Sequence, residues 1–488
     1  MDSTSIPSRK LTILLVRPKP HKQSLGLTDM ITLEPLELEY VSAALKQDGH
    51  RVFLADMIME RKSLEWFVRH LRPDIVMFTA YITHVNVITN YSDTVKRLSA
   101  KIVTAVGGVH CEVLPDDFRH PNLDVIFGTD GVERARALAR HVAEYGSADG
   151  FPGPSRTPAA DTVPLPLPDR RATARHRSRY HYAHHLPCAL LKTSYGCPYS
   201  CRFCFCVEIT GHQYRQRPME EVAAELLEIN EPNVFIVDDD FLASRARIKA
   251  FCDMLDRHDI HMRYIVFGRA DFIVRNEDMI ELLAAHGVDS VFVGVESFKQ
   301  SDLDQFDKRM SVAVSEEAAH VLHRHGIDLC AGAIVGPDWD KADFDAFVDW
   351  IHRMEIRFIN LQPLVPLPAT PIYDDYADQL LLDRKEYEKW DLTHIAIMPT
   401  QLTPSRYYAE IVKGYLRTTG SLASAWYVWQ RCGPRIALKT ASGAVRALWH
   451  YVLMIGKYRG VKRYVRTRTS GSSTSYTGHR TGHEAAGV

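Results

Sequence analysis

Twice along this chain, short β-branched apolar runs alternate with amphipathic helical stretches, and a proline-rich interval separates the two series. No other feature constrains the fold as much. A strand buried on both faces and followed by a helix pairs in parallel with the next strand, because the helix has to cross one face of the sheet. The first series reads LTILLV (11–16), RVFLAD (51–56), IVMFTA (75–80), KIVTAVGG (101–108) and DVIFG (124–128), with helical patterns at Glu37–Gln47 and around Asn86–Ala100. It predicts an α/β, doubly wound, Rossmann-like parallel sheet over residues 1–142. Ligands of such sheets sit outside the carboxyl ends of the strands. Arg17, Pro18, Asp56, Thr79 to Tyr81, Gly107 to His110 and Gly128 to Glu133 fall on that rim.

The second series occupies residues 188–375. Its runs are CALLKTS (188–194), VFIVDD (234–239), RYIVFG (263–268), SVFVGVE (290–296), LCAGAIVG (329–336) and FINLQPL (358–364). Helical patterns at Met219–Ile229, Arg245–His258, Asn276–His286, Ser315–His325 and Lys341–Met354 lie between them. Six βα units with right-handed crossovers predict a full or partial barrel. Between the series, residues 143–187 carry six prolines from Pro152 to Pro168 and then a basic stretch to His185. This reads as a linker or wrapping segment, its histidines solvated and without the carboxylate or cysteine spacing of a metal site. Residues 376–465 read as a helical region rich in aromatics, and 466–488 as a disordered Ser/Thr/Gly tail.

At 488 residues, 46% of them hydrophobic, the chain has material for more than one core. Its polar beginning has no secretory h-region. The longest apolar run, Ala447 to Gly456, is about half of what a bilayer crossing needs. A cytoplasmic location is expected. Formal charge is −1 overall, yet residues 411–483 hold 13 Lys or Arg and no acid, which leaves −14 on the remainder. Aromatic and aliphatic residues interleave with the cations in WYVWQRC, ALWHYVLMIG and KYRGVKRYVRTRT. Such a segment suits a lid docked on the acidic remainder, or a helix lying on an anionic membrane surface. Nucleic acid fits the charge alone, and no recognition motif accompanies it. No Walker loop or Gly-x-Gly-x2-Gly follows a strand, so nucleotide hydrolysis and NAD chemistry have no support.

Nine cysteines without a secretory signal do not suggest a disulfide framework. Five are scattered, and four crowd into TSYGCPYSCRFCFC: Cys197, Cys201, Cys204 and Cys206. The first three form Cys-x3-Cys-x2-Cys. Three thiolates on one tight loop can hold three corners of a [4Fe–4S] cube and leave one iron open. A zinc site would want four ligands, with Cys206 or His212 completing the set; a loop of free thiols is the third reading.

The spacing Cys-x3-Cys-x-aromatic-Cys, with Phe203 as the aromatic, after the first strand of a six-unit series resembles the radical S-adenosylmethionine (SAM) superfamily. The doubly wound module ahead of it resembles the cobalamin-binding domain of that superfamily's cobalamin-dependent branch. DDDF (238–241), GRAD (268–271), GVES (294–297), LCAGAIVGPDW (329–339) and PLVPLPATP (363–371) are similar to the branch containing hopanoid C-3 methylase and the anaerobic tetrapyrrole cyclases. The resemblance covers roughly residues 11–375. It implies a [4Fe–4S] cluster on Cys197, Cys201 and Cys204, with SAM chelated at the open iron and cleaved to a 5′-deoxyadenosyl radical. It places Phe203, Asp238, Asp239, Asp240, Arg269, Glu296, Ser297, Gly332 and Gly336 around SAM: the aspartates at its amine, Glu296 and Ser297 at ribose and carboxylate, the glycines near adenine. Arg269 could pair with the SAM carboxylate, although an internal ion pair suits Arg269 and Glu296 equally.

For cobalamin the resemblance implies Arg17, Thr79, Ala80, Tyr81, Gly107, Gly108, Val109, His110 and Gly128. The histidine-bearing Asp-x-His-x2-Gly of the best-known cobalamin proteins is absent. No lower-axial histidine is therefore predicted, and His110 reads as a loop or packing residue. The alternative is a module that has lost cobalamin and only supports the barrel. With cobalamin bound, the implied reaction is C-methylation of an unactivated carbon through methylcobalamin and the adenosyl radical. The same modules also serve cyclisation, oxidation or rearrangement without methyl transfer. A small-molecule or lipid-like substrate and an external electron donor of flavodoxin or ferredoxin type follow from the same resemblance. A zinc-stabilised nucleic-acid-binding protein is the rival from another class.

Overall fold

The computed structural model describes residues 9–25, 30–155, 165–211 and 213–461. The first series folds into a five-stranded, all-parallel sheet of β1 (Thr12–Arg17), β2 (Arg51–Asp56), β3 (Ile75–Thr79), β4 (Val103–Gly107) and β5 (Val125–Ile126), in the order β2-β1-β3-β4-β5. Period-two alternation divides each strand between two cores. Leu14 and Val16 of β1 pack with Phe67, Val85 and Ile88 on one face. Ile13 and Leu15 pack with Leu38, Leu45 and Leu138 on the other. Helices Leu64–Leu71 and Val85–Leu98 cover the first face, and Leu36–Gln47 and Gly131–Tyr145 the second.

The second series forms a six-stranded parallel sheet of β6 (Cys188–Leu191), β7 (Asn233–Ile236), β8 (Arg263–Gly268), β9 (Val288–Glu296), β10 (Asp328–Val335) and β11 (Phe358–Pro363). The strands are adjacent in sequence order, and β6 and β11 are its edges, so the barrel is partial. Val234, Ile236, Val266, Val291 and Val293 face the outer helices. The opposite face carries an aromatic row: Phe235, Phe267 and Phe292 meet edge to face or tilted at 5.2 and 5.1 Å, and Tyr182 continues it at 4.6 Å from Phe235.

The interval between the series is not a solvated linker. Its 3₁₀ turns at Arg170–Thr173 and Arg177–Arg179 and the pairing of His181–Tyr182 with Ile31–Thr32 wedge it between the two modules. His176, His181, His184 and His185 are all buried. His185 Nε2 lies 3.0 Å from Asp289 of β9, and His184 stacks on Phe358 of β11, so this segment plugs the amino end of the barrel strands. Burial, then the neighbouring His185, pushes His184 down to about 3. The reason is the arginines: buried Arg170 ties Glu34 of the first module to Glu225 of the second at 2.5 and 2.9 Å. Arg177 binds Glu34 and Glu231.

Helical structure beyond the barrel begins later than the sequence predicts. After Pro371–Tyr376, residues 377–403 run irregularly through two short 3₁₀ turns, and the long helices are Pro404–Thr418 and Leu422–Lys457. The basic C-terminal helix docks on acidic residues of the remainder, at the end of the barrel away from the cysteine loop. Tyr427 and Arg431 hold it to Asp328 and Asp289, which lie at the amino ends of β10 and β9, away from the carboxyl rim. The tail predicted over 466–488 lies outside the described residues. No helix among the described residues is long and apolar enough to cross a membrane.

Candidate active site

The cysteine loop leaves the carboxyl end of β6 and is anchored by the strand beside it. Asp238, two residues past β7, accepts the Thr193 N–H at 2.6 Å and the Thr193 and Ser194 hydroxyls at 2.5 and 2.7 Å. Asp239 accepts the Gly196 N–H at 2.9 Å and faces Lys192 at 3.4 Å. Gly196 sits at φ +82°, where a Cβ would fall 1.9 Å from the Gln213 carbonyl oxygen, so only glycine fits this turn. Cys197, Cys201, Cys204 and Cys206 follow, none of them in a disulfide and all partly exposed. Burial pushes the Cys197 thiol up to about 12, while hydrogen bonding from Cys206 brings Cys204 down to about 7. Cys206 is thus engaged with Cys204, and His212 lies outside the described residues. No three His, Cys, Asp or Glu side chains among the described residues converge as a single tetrahedral ion requires. Thiols that each take a separate corner of a cube need no such convergence.

The expected SAM residues divide into three kinds. Asp238 and Asp239 are spent on the loop itself. Asp240 is different: it is 2% exposed, its Oδ1 accepts only the Leu242 N–H at 3.2 Å, and its Oδ2 has no hydrogen-bond partner among the described residues. Burial raises it to about 7, with Arg269 partly opposing, and it lies within electrostatic reach of Cys197. A buried carboxylate oxygen without a partner beside the cysteine loop fits the ammonium group of an aminoacyl ligand.

The second kind is paired internally. Arg269 donates to Asp271 at 2.9 Å and to the Lys308 carbonyl oxygen at 2.9 Å, lies 3.9 Å over the Tyr199 ring, and approaches Cys201 Sγ at 3.9 Å. Glu296 binds Lys308 at 2.6 Å. The register of β9 against β10 shifts between Gly294 and Glu296, and Glu296 has φ +57°. Its carboxylate folds back over Gly294, where a Cβ would lie 2.2 Å from Oε1. The Gly-Val-Glu run is therefore one device, and the two ion pairs are internal. Lys308 was not legible beforehand; nothing in QFDKRM separates it from the neighbouring surface cations.

The third kind packs. Phe203 meets Phe306 edge to face at 5.3 Å, and Ser297 Oγ donates to Asp302 at 2.6 Å. Gly332 lies against Phe292, and Gly336 against Asp338 and Trp339.

Across from the cysteine loop stands the carboxyl rim of the first sheet. The helix Val109–Val113 packs on Cys206–Thr210, and the rings of His110 and Phe205 stack at 6.4 Å. Tyr81, 54% exposed, sits on this rim, with Glu37, Arg17 and Cys206 of the facing loop in its electrostatic surroundings. Thr79 donates to Glu37 at 3.1 Å, and Gly107 and Gly108 lie against Phe127 and Ala80. Three expected rim residues are bound within the protein. Arg17 grips Asp56 with two hydrogen bonds of 2.8 and 2.6 Å. Gly128 admits the Ser155 carbonyl oxygen. His110, 1% exposed, bonds Asp117 at 2.8 Å. His84, the other rim histidine, accepts the Tyr81 N–H at 3.3 Å, and burial lowers it to about 4. The donor set is thus neutral and small, with both histidines engaged, which fits a corrin held by contact with the strand ends rather than by an axial imidazole.

Two family models match the chain: the radical SAM superfamily over residues 191–351 and the B12 binding domain over residues 30–138. Hopanoid C-3 methylase of Methylococcus capsulatus is 30% identical over 401 residues, covering 78% of this chain and 76% of its own. The cobalamin-dependent SAM radical enzyme OxsB, solved with aqua-cobalamin and SAM bound, superposes with a TM-score of 0.66 at 17% identity over 91% of this chain and 72% of its own. The radical SAM methyltransferase TsrM of Kitasatospora setae, solved with cobalamin and a [4Fe–4S] cluster, gives 0.63 at 17% identity over 84% and 89%. At these identities the two structures speak for the fold.

Proposed function

The chain belongs to the cobalamin-dependent radical SAM family, with a [4Fe–4S] cluster, SAM and cobalamin as its cofactors, and on that premise we propose that it transfers methyl groups to unactivated carbon. The observation that carries this reading is the face-to-face placement of the cysteine loop and the rim bearing Tyr81, with Phe205 stacked on His110 between them. Bound there, SAM and its cluster supply a hydrogen-abstracting radical and cobalamin supplies the methyl group.

The chain's own residues orient and shield. Cys197, Cys201 and Cys204 hold three irons, and Asp240 accepts from the SAM amine through its free oxygen. Burial raises the Cys201 thiol, and the positive charge of Lys308 and Arg269 beside it opposes that rise. Tyr81, Thr79, Gly107 and Gly108 would support the corrin, and Asp117 holds His110 at 2.8 Å. The helix Pro371–Tyr376 closes one side of the loop, where Asp375 pairs with Arg202 at 2.9 Å. The substrate is a small molecule, and a lipid-like one suits the aromatic row of Phe235, Phe267 and Phe292. A one-electron donor of flavodoxin or ferredoxin type, a cytoplasmic setting and peripheral attachment to a membrane through the basic C-terminal region belong to the same proposal.

Anaerobic turnover of reconstituted protein with methyl-labelled SAM and fractionated small-molecule extract tests it. Label in an organic product, with 5′-deoxyadenosine and S-adenosylhomocysteine both formed, is the expected result. 5′-Deoxyadenosine without label in any product would move the assignment to cyclisation, oxidation or rearrangement.

A further inference from the structure

Surface helices normally turn a polar face to water and an apolar one to the core. The helix Leu422–Lys457 is apolar on both. On its inner side, Tyr451 and Met454 are buried and Tyr451 packs near Tyr408 and Tyr415. On its outer side, Leu438, Val445 and Trp449 are 66, 67 and 59% exposed. At about 100° per residue, Leu438, Val445, Trp449 and Val452 lie within roughly 40° of one line down the helix. Arg435, Lys439, Arg446 and Lys457 fall together on one flank, roughly 60–100° from that line. Upstream of the kink at Gly433 and Pro434, Trp426 and Trp429 are exposed as well, at 59 and 44%.

We propose that this outer face is a membrane-binding surface whose partner is a bilayer containing anionic phospholipid, with the apolar line sunk to headgroup depth. The proposal rests on the peripheral attachment assigned above to the C-terminal region and is independent of methyl transfer. Trp is suited to the interface between headgroups and hydrocarbon, and Lys and Arg stems reach out from it to phosphate. No acid occurs from 411 to 483, so the segment is uniformly basic, while the rest of the chain carries −14. An anionic bilayer therefore attracts this face and repels the remainder, which sets the orientation. A second copy of the chain would oppose an equally basic flank to this one, so self-pairing is disfavoured by charge.

The test is flotation of the full-length, cluster-loaded protein with vesicles of phosphatidylcholine alone or mixed equally with phosphatidylglycerol, alongside its mass in solution. The expected result is binding to the mixed vesicles that falls at least tenfold on phosphatidylcholine alone or in 1 M salt, as screening requires. Trp449→Glu, at an exposed site, is expected to lower binding at least tenfold while keeping iron content and melting temperature. Quenching of wild-type Trp fluorescence by brominated lipid gives the same answer without a variant. Binding that survives in Trp449→Glu, without quenching, would overturn this face but leave peripheral attachment by another surface. No binding to either vesicle would overturn both, and a dimer split by Trp449→Glu would assign the face to a second copy instead.

Discussion

Two groups of carboxylates and cations lie buried at the junctions of this molecule, and they are built to opposite ends. In the knot between the modules, Glu225 accepts from Arg170, Arg217 and the Tyr40 hydroxyl at 2.9, 2.8 and 2.6 Å. Glu34 accepts from Arg170, Arg177 and the Leu190 N–H. Although burial opposes it, Arg170 and Arg177 hold Glu34 below the ordinary carboxylate range. Glu39 is driven well above that range by burial and then by Glu34. On the rim by the cysteines, Asp240 is buried just as deeply, keeps one oxygen without a partner and titrates near 7. Carboxylates tied to arginines fix two modules in place; Asp240, with no ion pair among the described residues, is open to a ligand.

The largest effect expected is at the cysteines. Cys204→Ala should lose essentially all cluster iron and all 5′-deoxyadenosine formation, read by iron assay and by chromatography after anaerobic reconstitution. Full iron and turnover in that variant would remove the basis of the site. Next comes the knot: Arg170→Ala leaves Glu34 and Glu225 short of a partner in the interior and should cost about 3–5 kcal/mol of stability, measured as a denaturant midpoint. A loss of less than about 1 kcal/mol would mean that water reaches the knot and that the contrast with the rim is false.

Asp240→Asn should behave in the opposite sense, weakening SAM binding roughly tenfold, or about 1.4 kcal/mol, without loss of stability. Calorimetric titration of the cluster-loaded protein measures it. The pH dependence sharpens the point. The folded site keeps its proton up to about 7, whereas an ordinary Asp releases it at 3.8. Between those values the folded state binds more protons than the unfolded one, so this group's contribution falls as pH rises. Asp240→Asn should remove that slope, and wild-type affinity for SAM should weaken as pH falls below about 7 while the variant's stays flat. The smallest effect belongs to Arg384→Ala. Its pair with Asp117, at 2.6 Å, joins the irregular 377–403 segment to the first module, but the arginine is 29% exposed. A loss of no more than about 1 kcal/mol is expected from a thermal melt.

Much of this was legible in one dimension. Apolar runs such as TILLVR and the helices between them have periods that only parallel βα units satisfy. The cysteine loop lies between β6 and the next barrel helix, so its place at the carboxyl rim follows from chain order. Within DDDF, however, nothing distinguishes three adjacent aspartates. Only the fold shows that Asp238 and Asp239 are bonded to the loop while Asp240 keeps its Oδ2 without a donor among the described residues. The histidines of 176–185 misled for a similar reason: a basic, proline-flanked stretch reads as solvated unless the carboxylates that draw it inward, Glu34, Glu225 and Asp289, are known to surround it. Glu34 and Glu225 lie 136 and 55 residues from Arg170, and Asp289 lies 104 from His185.

The sequence by itself determined the two parallel βα modules, the three thiols on one loop and the charge gathered in the last quarter of the chain, because each is a matter of local spacing. Tertiary structure alone decided which buried carboxylates meet a cation, as Glu34 and Glu225 do and Asp240 does not, and that the basic helix docks on the amino end of the barrel with its apolar line outward. Pairing and exposure depend on distances between residues remote in the chain, and no local pattern carries them.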